Sequence, residues 1–191
     1  RHVLSNRRNQ TALIWESDDG NKISFTYEQL SKKVNKLSNA MKKSGLKTGD
    51  VAGVFLPLLP EAVITMYACF KNGIAVLPIF SGFGPEGLAE RLIHSKAKIL
   101  FTSDAAVRRG KTIPLKNTVD SALKQETSIE KVILVERAKI EVVLQEGRDI
   151  TWDEFISAES DVAETENLPA DSISMIMYTS GTTGKPKGTI Y

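Results

Sequence analysis

Eleven consecutive residues, Tyr178 to Gly188, read Y-T-S-G-T-T-G-K-P-K-G and carry four aliphatic hydroxyls, three glycines and two lysines. Gly181 and Gly184 have no side chain to hold an anion away, so a loop of this kind can turn several N–H groups toward phosphate oxygens. Thr179, Ser180, Thr182 and Thr183 add hydroxyl donors, and Lys185 and Lys187 add charge. Pro186 and Gly188 flank Lys187 and keep it beside the loop. These types at this spacing suit a phosphate cradle. A Walker-type loop requires G-x-x-x-x-G-K-[ST] running into a helix. Here Pro186 stands five residues after Gly181 and neither lysine precedes Ser or Thr, so the spacing fails. A flexible connector is the plain alternative, and the density of the motif directly after an apolar run argues against it.

A second group of cations lies in the middle of the chain. Arg108, Arg109, Lys111 and Lys116 fall within nine residues with no acid among them. The whole chain carries a formal charge of only +2, so this is a local basic patch of the sort a phosphate-bearing ligand needs. The alternative is a solvated basic loop.

Alternating short β-rich runs and longer helical runs position both groups. Ala12–Glu16 and Lys22–Thr26, joined through Gly20 and Asn21, read as a hairpin. Thr26 followed by Gln29 is a capping-box pattern, and Leu30, Val34, Leu37 and Met41 recur at helical spacing until Gly45. Val51–Leu56 reads as a buried strand, Glu61–Phe70 as a helix, Ile74–Phe80 as a strand, Pro85–Ser95 as a helix opened by proline and Lys98–Thr102 as a strand. Ser103–Ser128 reads as polar and irregular, with a weak helix at Val119–Lys124. Val132–Val135 restores a buried strand, Trp152–Ala158 forms a short helix, Ala163–Ala170 is a polar connection and Ile173–Tyr178 is a strand entering the cradle. Such alternation predicts an α/β fold with a mostly parallel sheet built from βαβ units. The cradle then sits at a strand's carboxyl end, where open α/β sheets bind ligands.

Composition narrows the class. A hydrophobic content of 41% and a charged content of 25% describe a globular chain with a core. The apolar run Val51–Pro60 is far shorter than the roughly 20 residues of a membrane helix, and acids and bases are interspersed; neither membrane nor nucleic acid is expected as a partner. A single cysteine, Cys69, excludes an internal disulfide and suits a reducing cytoplasm; it reads as core. Trp15 and Trp152 read as packing, and His94 as a surface residue in the field of a helix C-terminus. His2 gives no reading. The chain begins at Arg1 without an initiator Met and stops at Tyr191 just beyond the cradle, which leads us to expect an internal piece of a longer protein, with residues 1–191 an incomplete N-terminal domain ending after the loop 178–188.

The cradle resembles the signature loop of the adenylate-forming (AMP-binding) enzymes, among them acyl-CoA synthetases, peptide-synthetase adenylation domains and luciferases. The resemblance implies activation of a carboxylate by ATP to an acyl-adenylate and pyrophosphate, followed by transfer of the acyl group to a thiol. It further implies that Thr179, Ser180, Gly181, Thr182, Thr183 and Gly184 contact the ATP phosphates, with Mg2+ accompanying the nucleotide. Lys187, the candidate catalytic residue, would stabilise the departing pyrophosphate.

Other segments extend the likeness along nearly the whole chain. Arg1-His2, Ala12–Glu16, Pro57–Val63, Phe80–Phe83, Arg108–Lys111 with Ile113–Lys116, and Glu146–Asp149 are similar to acetyl-CoA synthetases and their short-chain relatives. By that resemblance Arg108 and Lys111 contact the 3′-phosphate of coenzyme A, and Phe80, Ser81 and Gly82 lie beside its adenosine. Two positions depart from the family: glycine is usual at Ser81, and arginine at Lys111, where lysine keeps the charge but loses the bidentate fork. The adenine, ribose and carboxylate contacts and a C-terminal catalytic lysine would lie beyond Tyr191, so residues 1–191 alone would be inactive. The expected function is an AMP-forming short-chain acyl-CoA synthetase acting on a small carboxylic acid, ATP and CoA. Alternatives are a ligase that charges a carrier-protein thiol, or a non-catalytic interaction module of the same fold.

Overall fold

A computed structural model describes residues 2–18, 20–179 and 187–191. After a short 3-10 turn, His2–Leu4, strands β1 (Thr11–Glu16) and β2 (Lys22–Thr26) form the expected antiparallel hairpin. Helix α1 (Tyr27–Lys43) begins in the capping box: Thr26 accepts from the Gln29 N–H, and the Gln29 side chain accepts from the Thr26 N–H. Its buried stripe is Val34, Leu37 and Met41 with Ser38 and Ala40.

The centre is a five-stranded, wholly parallel sheet in the order β4-β3-β5-β8-β9. Its strands are β3 (Val51–Phe55), β4 (Ala75–Pro78), β5 (Ile99–Ser103), β8 (Lys131–Val135) and β9 (Asp149–Thr151). β3 and β5 are buried at every position, as continuous apolar runs in a sheet covered on both faces must be. On one face Ala52, Val54, Phe101 and Ile133 pack with α1, α2 (Pro60–Asn72) and Trp152 of α5 (Trp152–Ser157). On the other, Phe55, Leu77, Leu100 and Val132 pack with α3 (Pro85–Ser95) and α4 (Leu115–Ala122). The two layers of helices on a parallel sheet are the α/β architecture that the alternation predicts. Gly53 lies where α3 closes on the sheet: a Cβ there would sit tightly, 3.0 Å from Leu100 and 3.1 Å from Leu92, and those side chains would have to shift. Cys69 is fully buried, as expected, and burial pushes its thiol well above the ordinary range.

The structure corrects the reading of residues 103–128 as irregular. β6 (Ala105–Arg108) and β7 (Lys111–Pro114) form a second hairpin, followed at once by α4. Its two-residue turn, Arg109-Gly110, takes positive φ at both positions, 51° and 71°, as the tightest hairpin turns require. The segment is organised by the fully buried Asp104. Its carboxyl accepts from the N–H groups of Ala105 (2.7 Å), Arg137 (2.8 Å), Ala138 (3.1 Å) and Ile140 (3.1 Å), while its own carbonyl accepts from Leu115 N–H. Lys139, at φ 53°, curls residues 137–140 around the carboxyl.

Lys116 also departs from expectation. It is 1% exposed and pairs with Asp120 (2.7 Å) and Asp149 (2.8 Å), donating besides to Val143 O (3.0 Å). Arg148 binds Asp149 and Asp120 from the other side. Lys116 therefore leaves the basic patch, its charge spent inside the fold, and Glu146–Asp149 is a structural segment.

Two predictions follow from these buried acids. Asp104→Ala strands several backbone donors and should lower stability by roughly 3 kcal/mol in urea denaturation; a change below measurement error would show that water replaces the carboxyl. Burial raises the pKa of Asp149, but hydrogen bonds from Arg148 and Lys116 outweigh it and hold the carboxyl below the usual range. Its stabilising contribution is thus complete above the unfolded value of about 4 and is lost as pH falls through the lower folded value. Asp149→Asn should cost roughly 3 kcal/mol at neutral pH and flatten the decline of Tm below about pH 4. Parallel Tm curves for the two proteins would refute this assignment.

Candidate coenzyme and phosphate site

The carboxyl ends of β3 and β4, the first hairpin and the β6–β7 hairpin surround a cleft of about 360 Å³. Phe80, Ser81 and Arg108 line it, together with Trp15, Leu58 and Arg137. Lys111 is not in the lining but is the cross-strand partner of Arg108, so the two cations stand together at the end of an exposed hairpin. Gly82 lies under Phe80, whose Cε1 is 2.5 Å from where a Cβ would be. Any larger residue displaces that ring. Two larger hollows, about 630 and 660 Å³, lie on other faces and contain none of the expected site residues.

Trp15 is more than packing. Its Nε1 donates to Leu58 O (2.6 Å), which fixes the indole, and the Arg137 guanidinium lies 5.2 Å from the ring centroid. Trp152 packs as expected, buried against Phe101. Sequence reasoning missed Arg137: only the fold brings it to Trp15 and Arg108, and its own neighbours give no sign of that.

The strand that enters the hydroxyl- and glycine-rich motif is placed differently from the expectation. β10 (Ile176–Thr179) pairs antiparallel with β11 (Lys187–Ile190) and is not a strand of the central sheet. The reason lies just upstream, where the backbone of Ser174 accepts from Val76 N–H and that of Met175 pairs with Tyr191. A single parallel bridge, Val76 to Met175, ties the hairpin to the edge strand β4. Thr179 and Lys187 are cross-strand partners, which places hydroxyl and ammonium side by side. Ser180, Gly181, Thr182, Thr183 and Gly184 lie outside the described residues.

α3 joins the two halves of the site. Arg91 lies 4.0 Å from the Phe83 ring centroid and 5.6 Å from that of Tyr178, and Phe83 meets Phe80 edge to face. His94, exposed in the last turn of α3 as expected, is also hydrogen-bonded through Nδ1 to Tyr178 Oη. Burial raises the Tyr178 phenol, with Arg91 opposing, so the hydroxyl stays protonated through neutral pH. Gly188 lies beside this ring, where a Cβ would make ordinary contact at 3.4 Å. Among the described residues no group of three His, Cys, Asp or Glu is placed to hold a metal ion, and no helix is long and apolar enough to cross a membrane.

Comparison with known proteins identifies the family. The AMP-binding enzyme family profile matches residues 1–191. The chain is 42% identical over 197 residues to an acetyl-coenzyme A synthetase of Gemmatimonas aurantiaca, 44% over 194 residues to that of Photobacterium profundum and 40% over 194 residues to that of Escherichia coli K12. Each alignment covers 100% of this chain and 30% of the relative, so the chain spans under a third of the length of these proteins. With the parallel sheet, the cradle motif and the family match in agreement, the chain belongs to the AMP-binding enzyme family.

Proposed function

We propose that this chain forms part of the N-terminal domain of an AMP-forming acyl-CoA synthetase that activates a short-chain carboxylate, in the cytoplasm. The observation that carries this reading is the convergence of Phe80, Ser81 and Arg108 on one cleft, with Lys111 beside Arg108. An aromatic ring beside two cations suits a phosphorylated adenosine better than a carrier-protein thiol, which offers no such phosphate.

In the first step a carboxylate oxygen attacks the α-phosphorus of ATP, the bond to the bridging oxygen breaks and pyrophosphate leaves with the electron pair. Lys187 and the Thr179 hydroxyl, adjacent across β10 and β11, would meet the charge that develops on the leaving group. Mg2+ would arrive on the nucleotide and be held chiefly by phosphate oxygens, as this ion prefers. In the second step the CoA thiolate attacks the acyl carbonyl and AMP departs. Arg108 and Lys111 would hold the 3′-phosphate, with Phe80, Ser81 and Gly82 against the adenosine. Residues 1–191 alone are expected to catalyse neither step.

The full-length protein should catalyse acid-dependent pyrophosphate–ATP exchange and CoA-dependent release of AMP. Lys187→Ala should slow exchange by about a hundredfold, the scale of losing one transition-state charge contact. Arg108→Ala with Lys111→Ala should instead raise the KM for CoA by about tenfold or more. Absence of exchange with every small carboxylic acid tried would exclude the synthetase reading, and the reverse pattern of effects would exclude the site assignments.

A further inference from the structure

Arg137 enters the cleft by a route unlike that of Arg108. Its backbone N–H is fixed by the buried carboxyl of Asp104, two residues beyond the end of β8 at Val135. Its guanidinium then lies over Trp15, an indole itself held by Leu58. The result is a half-buried, planar cation on an aromatic platform, pre-oriented at both ends.

No carboxylate forms an ion pair with Arg137 among the described residues. The nearby acids are otherwise engaged or at the margin. Glu16 pairs with Lys22 at 3.1 Å, and Asp18 is exposed in the β1–β2 turn. Glu61 feels the attraction of Arg137 without bonding to it, and burial raises its pKa. An anion in this cleft is therefore drawn toward Arg137 and Arg108 and away from Glu16 and Asp18.

The two arginines differ in setting. Arg108 and Lys111 are exposed at a hairpin end, while Arg137 is half-buried against Trp15. A terminal phosphate dianion keeps much of its hydration and suits the exposed pair. A diphosphate lies between two arms of its molecule and must be gripped within the cleft, where a bidentate, weakly hydrated guanidinium is the better donor. We propose that Arg137, stacked on Trp15, binds the diphosphate of the coenzyme while Arg108 and Lys111 hold its 3′-phosphate. This assignment rests on the synthetase reading and adds to it a residue and a division of labour.

The test uses the full-length protein and two thiol acceptors, CoA and dephospho-CoA, which lacks the 3′-phosphate but keeps the diphosphate. Acyl transfer is normalised to pyrophosphate–ATP exchange, a half-reaction that needs no thiol. Arg137→Ala should raise the KM for both acceptors by the same factor, about tenfold, and Arg137→Lys should recover only part of it. Arg108→Ala with Lys111→Ala should raise the KM for CoA alone and erase the preference between the acceptors. An unchanged KM in Arg137→Ala would overturn the proposal, as would an effect confined to CoA. Equal losses of exchange and acyl transfer would also overturn it, because they would mark Arg137 as structural. No exchange and no acyl transfer by the unsubstituted protein would overturn the synthetase reading, and the Arg137 assignment with it.

Discussion

The geometry of the cleft depends on one buried carboxyl. Asp104 stands at the end of β5, where the chain leaves the sheet, and gathers N–H groups from residues 105, 137, 138 and 140. It thereby ties the start of the β6–β7 hairpin to the segment leaving β8. Both arginines of the cleft hang from these two segments. A carboxyl group can join them because a sheet's carboxyl ends leave backbone donors without ladder partners, and buried donors must be satisfied. The cleft wall is thus an outgrowth of a hydrogen-bonding requirement of the fold.

Charge is partitioned with equal economy. Arg108, Lys111 and Lys116 are close in sequence, yet Lys116 disappears into a network with Asp120, Arg148 and Asp149. A cation fully removed from water survives only with close counter-charges and satisfied protons, and Lys116 has both. Arg108 and Lys111 have no such partners among the described residues and remain available to a ligand. Residue type alone does not distinguish the two fates; Lys116 stands on the buried face of α4, whereas Arg108 and Lys111 stand at the exposed end of the β6–β7 hairpin.

The main α/β pattern was legible because its determinants are local. The capping box of α1, the proline start of α3 over Pro85–Ser95 and the unbroken apolar runs of β3 and β5 each act within a few residues. The β6–β7 hairpin was not legible, since arginine rarely takes positive φ and Arg109-Gly110 does not resemble a common turn pair. The pairing of β10 with β11 was equally hidden, for it depends on residues on either side of the phosphate motif meeting again. Of the site, the cations and the aromatic segment were visible as chemistry. Arg137 and its stacking on Trp15 were not, because residues 15, 108 and 137 come to line one cleft only after the sheet has assembled.

The attachment of the β10–β11 hairpin to the sheet is made through main-chain groups of Val76, Ser174, Met175 and Tyr191. Such a joint does not record which side chains flank it. The polar stretch before it is held separately, by the side chains of Thr165 and Glu166 on Lys71 and Lys42. The hairpin and the connecting segment are thus fastened independently, one through the main chain of the edge strand and the other through the side chains of two helices.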